Sequence, residues 1–468
     1  MTWQRLKHRF RHASKRDKQR GVAMLVVLSW LALMISLVSE FTYGTTVDAA
    51  QAANARDELR AHYLARSSVN LSRLLIKIQQ RFVEPVMNQA RQLLSSFAGG
   101  AGTGAAGGAA AGAGASAPSP LAGISLRVTD YAGPLMGFFS GSKEEVAGLG
   151  SMIGLDTTAV KGLGLKSGRF DAQITAEDGK INVNCGSGVV SDRAKQMIVY
   201  RLLSGLMYSR RFDRLFSEAD ATGQFVTRPE VARALIDWAD GDDQMFPAEG
   251  ASGAEDYRYD ARADRYRAHD SSYDSIEEIK LVRGVSESFM EAFAPHLTIY
   301  ATDQNCKVNI GAITNKNGGD CTPLLMGLVR AAAISDPSKP PSDPAILDDT
   351  RLYPIASVAC DRASSAGFDS LQTIANLMSN PQTAVLPDDP RYKIFQGMRP
   401  IKIDQGELAA VATVASPRVY RIVATGESGC VKRKITAIVD TQRVLENPLT
   451  LNPASEKAAG VLQYWREE

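Results

Sequence analysis

The sequence is poor in the residues that most site chemistry uses. Its 468 residues include only five histidines and five cysteines. Beyond the first twenty residues none of these falls into Cys-x-x-Cys, His-x-x-x-His or His-Glu-x-x-His spacing, which removes the common zinc and dithiol readings there. His269 and His296, the histidines of the central region, read as ordinary surface or partly buried residues. No Gly-x-Ser-x-Gly occurs, so a nucleophile elbow is absent. The Gly-x-Gly pairs at Gly148 and Gly162 lack both Gly-Lys-Ser/Thr and Gly-x-Gly-x-x-Gly, and read as turns and not phosphate loops.

Net charge is also small, +2 at pH 7, but it is the sum of two opposed blocks. The first twenty residues are strongly basic and the stretch 237–278 is strongly acidic. Without its leader the chain is acidic on balance, which speaks against a nucleic-acid partner, because such binding draws its affinity from Lys and Arg neutralising phosphates. Hydrophobic residues make up 44% and charged residues 22%, enough for two or three globular units with proper cores.

Residues 1–21 carry Arg5, Lys7, Arg9, Arg11, Lys15, Arg16, Lys18 and Arg20, and the apolar run Val22–Val38 follows at once. Basic first and apolar second is the order that keeps an N-terminus in the cytoplasm. The apolar run has close to the number of residues a helix needs to cross a bilayer. It ends in Ser39-Glu40-Phe41-Thr42-Tyr43 with no Ala-x-Ala, so the expected cut lies ahead of it, between Gly21 and Val22, and not behind it as in a secretory signal. An uncleaved signal anchor is the alternative.

Residues 46–97 read as helix, with Leu71, Leu74, Leu75, Ile78 and Phe82 at helical spacing and Pro85 as a kink or break. Residues 98–120, almost wholly Gly, Ala and Ser, have no side chains with which to build a core and read as a linker or inserted loop. A hairpin is expected from 169–175 and 181–184 about the Glu-Asp-Gly-Lys turn at 177–180. Helical patterns occupy 191–219, 228–239 and 275–296, and strands return at 418–425, 430–439 and the terminal 463–468. Helices between two β regions give an α+β fold with an α-rich insertion. Leu281-Val282-Arg283-Gly284-Val285 looks like half of a helix-hairpin-helix element, read here as a protein contact.

The five cysteines leave more than one arrangement open. Cys306–Cys321 closes a short loop, Cys360–Cys430 is a second candidate pair, and buried free thiols are the alternative.

The acidic stretch contains Asp237, Asp240, Asp242, Asp243, Glu249, Glu255, Asp256, Asp260, Asp264, Asp270, Asp274, Glu277 and Glu278. So many carboxylates repel one another unless solvated or neutralised by a hard cation with oxygen ligands. The spacing is not that of an EF-hand, and clusters 237–243 and 253–257 would have to converge. From the residues alone, a solvated acidic loop and a cation site stand equal.

Taken together, the basic leader ending at Gly21, the phrases DGKINVN at 178–184, LIDWADGD at 235–242, GAEDYRY at 253–259 and SIEEIKLVRGVSESF at 275–289, and the terminal YWREE resemble the general secretion pathway protein K family. These proteins are the large minor pseudopilins of type II secretion systems. The resemblance runs through most of the chain, apart from the Gly/Ala-rich insertion.

It implies a leader at 1–21, a transmembrane helix at 22–45, an extended helix at 46–97, a linker at 98–120, a pseudopilin α/β core in 121–200 and 396–468 with an antiparallel sheet, and an inserted helical domain at 201–395. It also implies a non-enzymatic subunit in the inner membrane with its folded part in the periplasm, processed by a prepilin peptidase. Its implied partners are other minor pseudopilins, with secreted substrates or the secretin as further contacts, and its implied ion is calcium, with Asp240, Asp242, Glu255 and Asp256 as first ligands and Asp237 and Asp243 beside them.

The common subunits of such filaments carry Glu at the fifth position after the cut, where it neutralises a neighbour's ammonium in an apolar core. Here that position is Val26, which fits a subunit with none ahead of it, at the tip. Two other readings share parts of this pattern: a minor pilin of a type IV pilus-like apparatus, and a membrane-anchored metal-dependent hydrolase.

Mass spectrometry of the membrane-extracted protein should find Val22 as the first residue. An intact leader, or a terminus beyond Ser39, contradicts the expected cut.

Overall fold

The computed structural model describes residues 3–86, 168–188, 191–217, 225–255, 266–300, 305–315, 319–334, 343–442 and 461–468, with single positions between them, and the backbone alone for 3–21. The linker at 98–120, the turns at Gly148 and Gly162, and Asp256 lie outside the described residues.

One helix, α1, runs from Trp3 to Ile78 over 76 residues. No proline interrupts the sequence before Pro85, and Ala, Leu, Arg and Gln dominate the part beyond the apolar run, all good helix formers. The helix is long and apolar enough at 22–45 to cross a membrane, and every residue from Val22 to Thr45 is exposed, with no protein packed on it. Of the two outcomes expected at Pro85, a kink or a break, the helix does not break there. A π-helical turn at Gln79–Val83 precedes it, and helix resumes to Val86. The wider turn makes room for the proline ring against the carbonyl four residues back.

The far half of α1 lies on a four-stranded antiparallel sheet of order β1-β6-β7-β8. Its strands are β1 (Arg169–Ala176), β6 (Val419–Ser428), β7 (Val431–Asp440) and β8 (Val461–Glu467). Phe170, Ala172, Ile174, Tyr420, Ile422, Ala424, Ile435, Ala437 and Val439 point to the helix and meet Leu64, Ala65, Val69, Leu75 and Ile76. The period of two along each strand gives the sheet one buried face.

Contact is close because small residues line it. A Cβ on Gly426 would lie 2.1 Å from the carbonyl oxygen of Ala61 and 2.5 Å from the nitrogen of Ala65. Ser68 donates to the carbonyl oxygen of Asp171 at 2.9 Å, which ties the helix to β1.

The hairpin expected at 169–184 does not form. β1 pairs instead with β6, and β2 (Ile181–Asn182) pairs in parallel with β3 (Leu297–Thr298). The reason lies in the turn. Glu177 is wholly buried and held by Lys180 at 2.8 Å and Arg421 at 2.7 Å. Asp178 accepts from the backbone N–H groups of Arg418 and Val419 at 2.9 and 2.8 Å, and its carbonyl accepts from Asn309. These bonds swing the chain away from the sheet and into a second core.

That second core is helical. α2 (Arg193–Met207), α3 (Arg228–Asp237), α4 (Glu287–Phe293), α5 (Thr322–Ala333), α6 (Asp349–Ser365), α7 (Leu371–Ser379) and α8 (Gln405–Val411) contribute to it. It draws on residues from Ile181 to Ala412, wider at both ends than the 201–395 expected. β4 (Val308–Asn309) and β5 (Ala412–Thr413) close it with a short parallel pair.

Every residue of α5 is buried, and it meets α2 at a glycine crossing, where a Cβ on Gly205 would lie 2.3 Å from the carbonyl oxygen of Gly327. Inside, the fully buried Arg330 pairs with Asp349 and donates to the carbonyl of Ile346. The turn at Gly284 belongs to this core too. Its φ is +80°, and Val226 and Val231 press against it, so the helix-hairpin-helix resemblance there is internal packing.

Disulfides join Cys185 to Cys306 and Cys321 to Cys360, and Cys430 is free and exposed. The pairs expected from the sequence, Cys306–Cys321 and Cys360–Cys430, are thereby replaced. Closeness in sequence does not set the direction of Cβ. Cys306 takes φ +61° and turns to the segment after β2, whereas Cys321 precedes α5 and faces α6.

Burial by itself would raise the pKa of Glu177, but the charges and hydrogen bonds of Lys180 and Arg421 outweigh it and hold the carboxyl at about 2. A depressed carboxyl stabilises the fold fully above its unfolded value, about 4.5, and loses that contribution as pH falls through the folded one. Glu177→Gln should therefore cost on the order of 3 kcal/mol at neutral pH, with the difference closing between about pH 4.5 and 2. Denaturant melts across that range test it, and a pH-independent difference would contradict the ion-pair account.

Candidate metal centre

The acidic cluster is assembled by the end of α3 and two loop crossings. Thr227 and Glu230 form a capping box that starts α3, with Pro229 in its first turn. The box fixes where the helix begins, and its buried face, Val231, Leu235 and Ile236, fixes its rotation. Asp237 thereby ends the helix facing inward, and a turn brings Asp240 beside Gly188, with which it forms a parallel bridge. The chain then leaves for the surface and returns. Gln244 pairs with Ala254 in an antiparallel bridge, and Met245 donates to the carbonyl of Gly253 at 3.0 Å. This clasp lays Glu255 next to the start of its own loop.

Asp237, Asp240 and Glu255 converge, each with a carboxylate oxygen within 4.8 Å of the others. All three are buried, at 6%, 0% and 5% exposure. Asp237 accepts from the backbone N–H of Phe246 at 2.7 Å, and Asp240 accepts from the Gln196 side-chain amide at 2.9 Å. Several of the other oxygens are not matched by donors. One oxygen of Asp240, both of Glu255 and the amide oxygen of Gln196 are buried without a hydrogen-bond donor.

A buried oxygen cluster lacking donors costs free energy unless protons or a cation enter it. Removal from water pushes all three carboxyls up, Asp237 and Asp240 to about 7 and Glu255 to about 10. Repulsion adds to this: Asp240 bears on Asp237, Asp242 on Asp240, and both Asp237 and Asp240 on Glu255. The donor set is all oxygen, which suits a hard divalent cation, and a cleft lined by Glu230, Arg233, Met245 and Tyr259 reaches Asp237 and Glu255 from the surface.

Not every expected ligand is here. Asp242 turns outward to Arg193 at 3.0 Å and caps Gln244, and Asp243 is exposed, contributing only a carbonyl that accepts from Glu255. Asp256 lies outside the described residues. Asp237, expected only beside the ligands, is one of the three that meet. Gln196 was not singled out in the sequence. It stands on α2, far from the acidic stretch, and a glutamine in an amphipathic helix carries no signal of its own.

Glu278, another acid of the stretch, takes a different role, accepting from Trp238 at 2.9 Å and facing His269 at 3.0 Å. His296 is buried and uncharged, its pKa lowered to about 4 by removal from water.

A chain whose described residues include an N-terminal helix long and apolar enough to cross a membrane, an antiparallel sheet on the far half of that helix and a helical domain inserted between its strands is an α+β protein. Residues 190–302, which hold α2, α3, the whole triad, α4 and β3, match the family model for protein K of the type II secretion system, first domain. No curated protein matches this chain in sequence. Among solved structures, it is similar to the crystal structure of the GspK-GspI-GspJ complex from the enterotoxigenic Escherichia coli Type 2 Secretion System. Identity is 14%, 65% of this chain and 81% of that chain are covered, and the TM-score is 0.37.

The sign of one substitution distinguishes an ion from an empty acidic cluster. Asp240→Asn relieves repulsion when the site is empty and removes a ligand when it is filled. In chelator it should raise the melting temperature. In calcium at about 100 times the dissociation constant, where wild type gains about 2.7 kcal/mol by mass action, the variant should gain little. Scanning calorimetry in both conditions reads this, and a wild-type melt indifferent to calcium rejects the site.

Proposed function

We propose that this chain is a minor pseudopilin of a type II secretion system, an assembly component and not an enzyme. Residues 22–45 hold it in the inner membrane and the folded part works in the periplasm. A prepilin peptidase removes the leader at Gly21, and the subunit then sits at the pseudopilus tip, where it starts assembly with other minor pseudopilins and serves the export of folded proteins. The observation that carries this reading is the protein K match over 190–302 on a chain whose N-terminal apolar helix runs unbroken into its folded part.

Two further observations support the details. Val26 stands where a filament subunit would need a carboxylate, which agrees with a place having no neighbour ahead. The second core, packed on the sheet through the Glu177–Asp178 turn, gives the subunit a bulk that suits an end better than a close-packed shaft. We assign calcium to Asp237, Asp240 and Glu255, with Gln196 supplying a further oxygen. In this role the ion neutralises three buried carboxylates and fixes the loop between Gln244 and Ala254, and it takes part in no reaction.

The experiment is a deletion in the parent organism together with co-expression. Full-length chain produced with the remaining minor pseudopilins of its own system should co-purify with them from detergent-solubilised membranes, and loss of the chain should stop secretion until wild type is restored. Normal secretion in the deletion strain overturns the reading.

A further inference from the structure

Two of the oxygen donors at the metal centre, Gln196 and Asp240, are placed by one short stretch of chain. After β2 the backbone passes through a run of turns from Val183 to Gly186. Gly186 takes φ +86° and lies against the start of α2, where a Cβ on it would sit 3.0 Å from the nitrogen of Gln196. Its carbonyl accepts from Asp192, the cap of that helix, at 3.1 Å. Gly188 donates to the carbonyl of Ala239 at 3.3 Å and bridges Asp240. The helix that carries Gln196 and the turn that carries Asp240 thus take their positions from the same few residues.

That stretch is itself fastened at its start. Asn184 donates to the carbonyls of Tyr273 and Ile299 at 3.0 and 2.9 Å and accepts from the backbone N–H of Tyr273 at 2.7 Å. The hydroxyl of Tyr273 donates in turn to the carbonyl of Leu235, in the last turn of α3 ahead of Asp237. Cys185 follows, bonded to Cys306. Cys306 is buried at φ +61°, in the left-handed region, where a residue other than glycine stays only if its surroundings hold it. Two residues later the chain enters β4 and the second core. The sulfur bridge therefore pins the start of the stretch to the body of the helical domain.

We propose that the Cys185–Cys306 disulfide is a positioning device for the cation and a redox control on its affinity, the oxidised chain binding calcium tightly and the reduced chain weakly. The inference rests on the calcium assignment made above and adds the groups that set its strength. A calcium ion holds its oxygens at about 2.3–2.6 Å, so a small displacement of Gln196 and Asp240 is felt at once. Cys185 and Gly186 act only through those two side chains. The Asn184 contacts survive reduction, so the site weakens and does not vanish. Coupling between two such events is commonly about five- to 150-fold, and it is reciprocal: the ion must make this disulfide harder to reduce by the factor that the disulfide strengthens the ion. Cys185 is half-buried, within reach of a reductant. The other bridge, Cys321–Cys360, joins the start of α5 to α6, and neither cysteine belongs to 184–196 or 237–255.

Calorimetric titration of the full-length chain in detergent with calcium tests this, with Cys430→Ser throughout to remove the free thiol. The Cys185→Ser and Cys306→Ser double variant should bind about tenfold more weakly, while the Cys321→Ser and Cys360→Ser double variant should keep the parent affinity. Gly186→Ala, which leaves both bridges in place and crowds Gln196, should also weaken binding. The reciprocal measurement needs no substitution at the site. Equilibration with dithiothreitol passes two electrons and two protons to the chain, giving thiols at 185 and 306 and the cyclic disulfide of the reagent, and alkylation with mass spectrometry counts them. Calcium should shift that equilibrium about tenfold toward the 185–306 disulfide and leave 321–360 unmoved, and Asp240→Asn should abolish the shift.

Parent affinity in both the 185/306 variant and Gly186→Ala would overturn the proposal, as would a 185–306 equilibrium indifferent to calcium. Equal protection of both bridges would also overturn it, since that marks a general stabilisation of the fold. Should the double serine variant fail to fold, Gly186→Ala and the reciprocal measurement decide. If the parent takes up no calcium, the ion assignment fails and this inference with it. If the parent binds calcium without linkage to the disulfide, the ion stands and only the inference falls.

Discussion

Two adjacent carboxylates at the end of β1 determine how the molecule is divided. Glu177 and Asp178 are both buried, and each is held by groups from the other end of the chain, Arg421 for the first and the Arg418 and Val419 amides for the second. A buried charge without these partners would be strongly unfavourable, so the point where the chain leaves the sheet and the point where it returns must lie together. The whole helical domain is thereby an excursion from one fixed place. Asn309 binds the carbonyl of Asp178, so the inserted domain is tied to the same junction from within.

Inside that domain the same physics appears with the opposite balance. Glu177 has two cations to offset its burial, and its carboxyl is held low. Asp237, Asp240 and Glu255 are buried to a similar degree among one another, and theirs are pushed high. Nearby Arg193 is engaged with Asp242 and does not turn to the triad. Buried carboxylates are structural where the chain supplies the cation, and a candidate binding site where it does not.

Much of this was legible in the sequence. The apolar run, the helix beyond it, the three strands near the C-terminus and the α+β class follow from periodicity, because each strand shows the sheet one face and each helix shows the core one stripe. A cation site needs the acids of 237–243 to meet those that follow 253, and the clasp at Gln244 and Ala254 brings Glu255 to Asp237 and Asp240. What could not be read is what depends on distant partners. The pairing of β1 with β6 rather than with its neighbour, the choice of Cys185 for Cys306, and the recruitment of Gln196 are each decided by a residue more than forty positions away. Asp242 shows the same limit in reverse. It sits among acids in sequence, yet an arginine from α2 takes it out of the group.

The close seat of Gly426 on Ala61 and Ala65 has a mechanical meaning. With no side chain between them, strand and helix cannot slide or roll past one another without a backbone collision, so the sheet is keyed to α1 at one height and one angle. Since α1 runs as a single helix from Trp3 to Ile78, the key extends down its length. A push along the axis, or a twist about it, applied at residues 22–45 would arrive at the sheet as the same displacement, and through the Glu177–Asp178 junction at the helical domain. The fold behaves as a shaft with its load locked on, and the far domain has little freedom to stay behind when the near end moves.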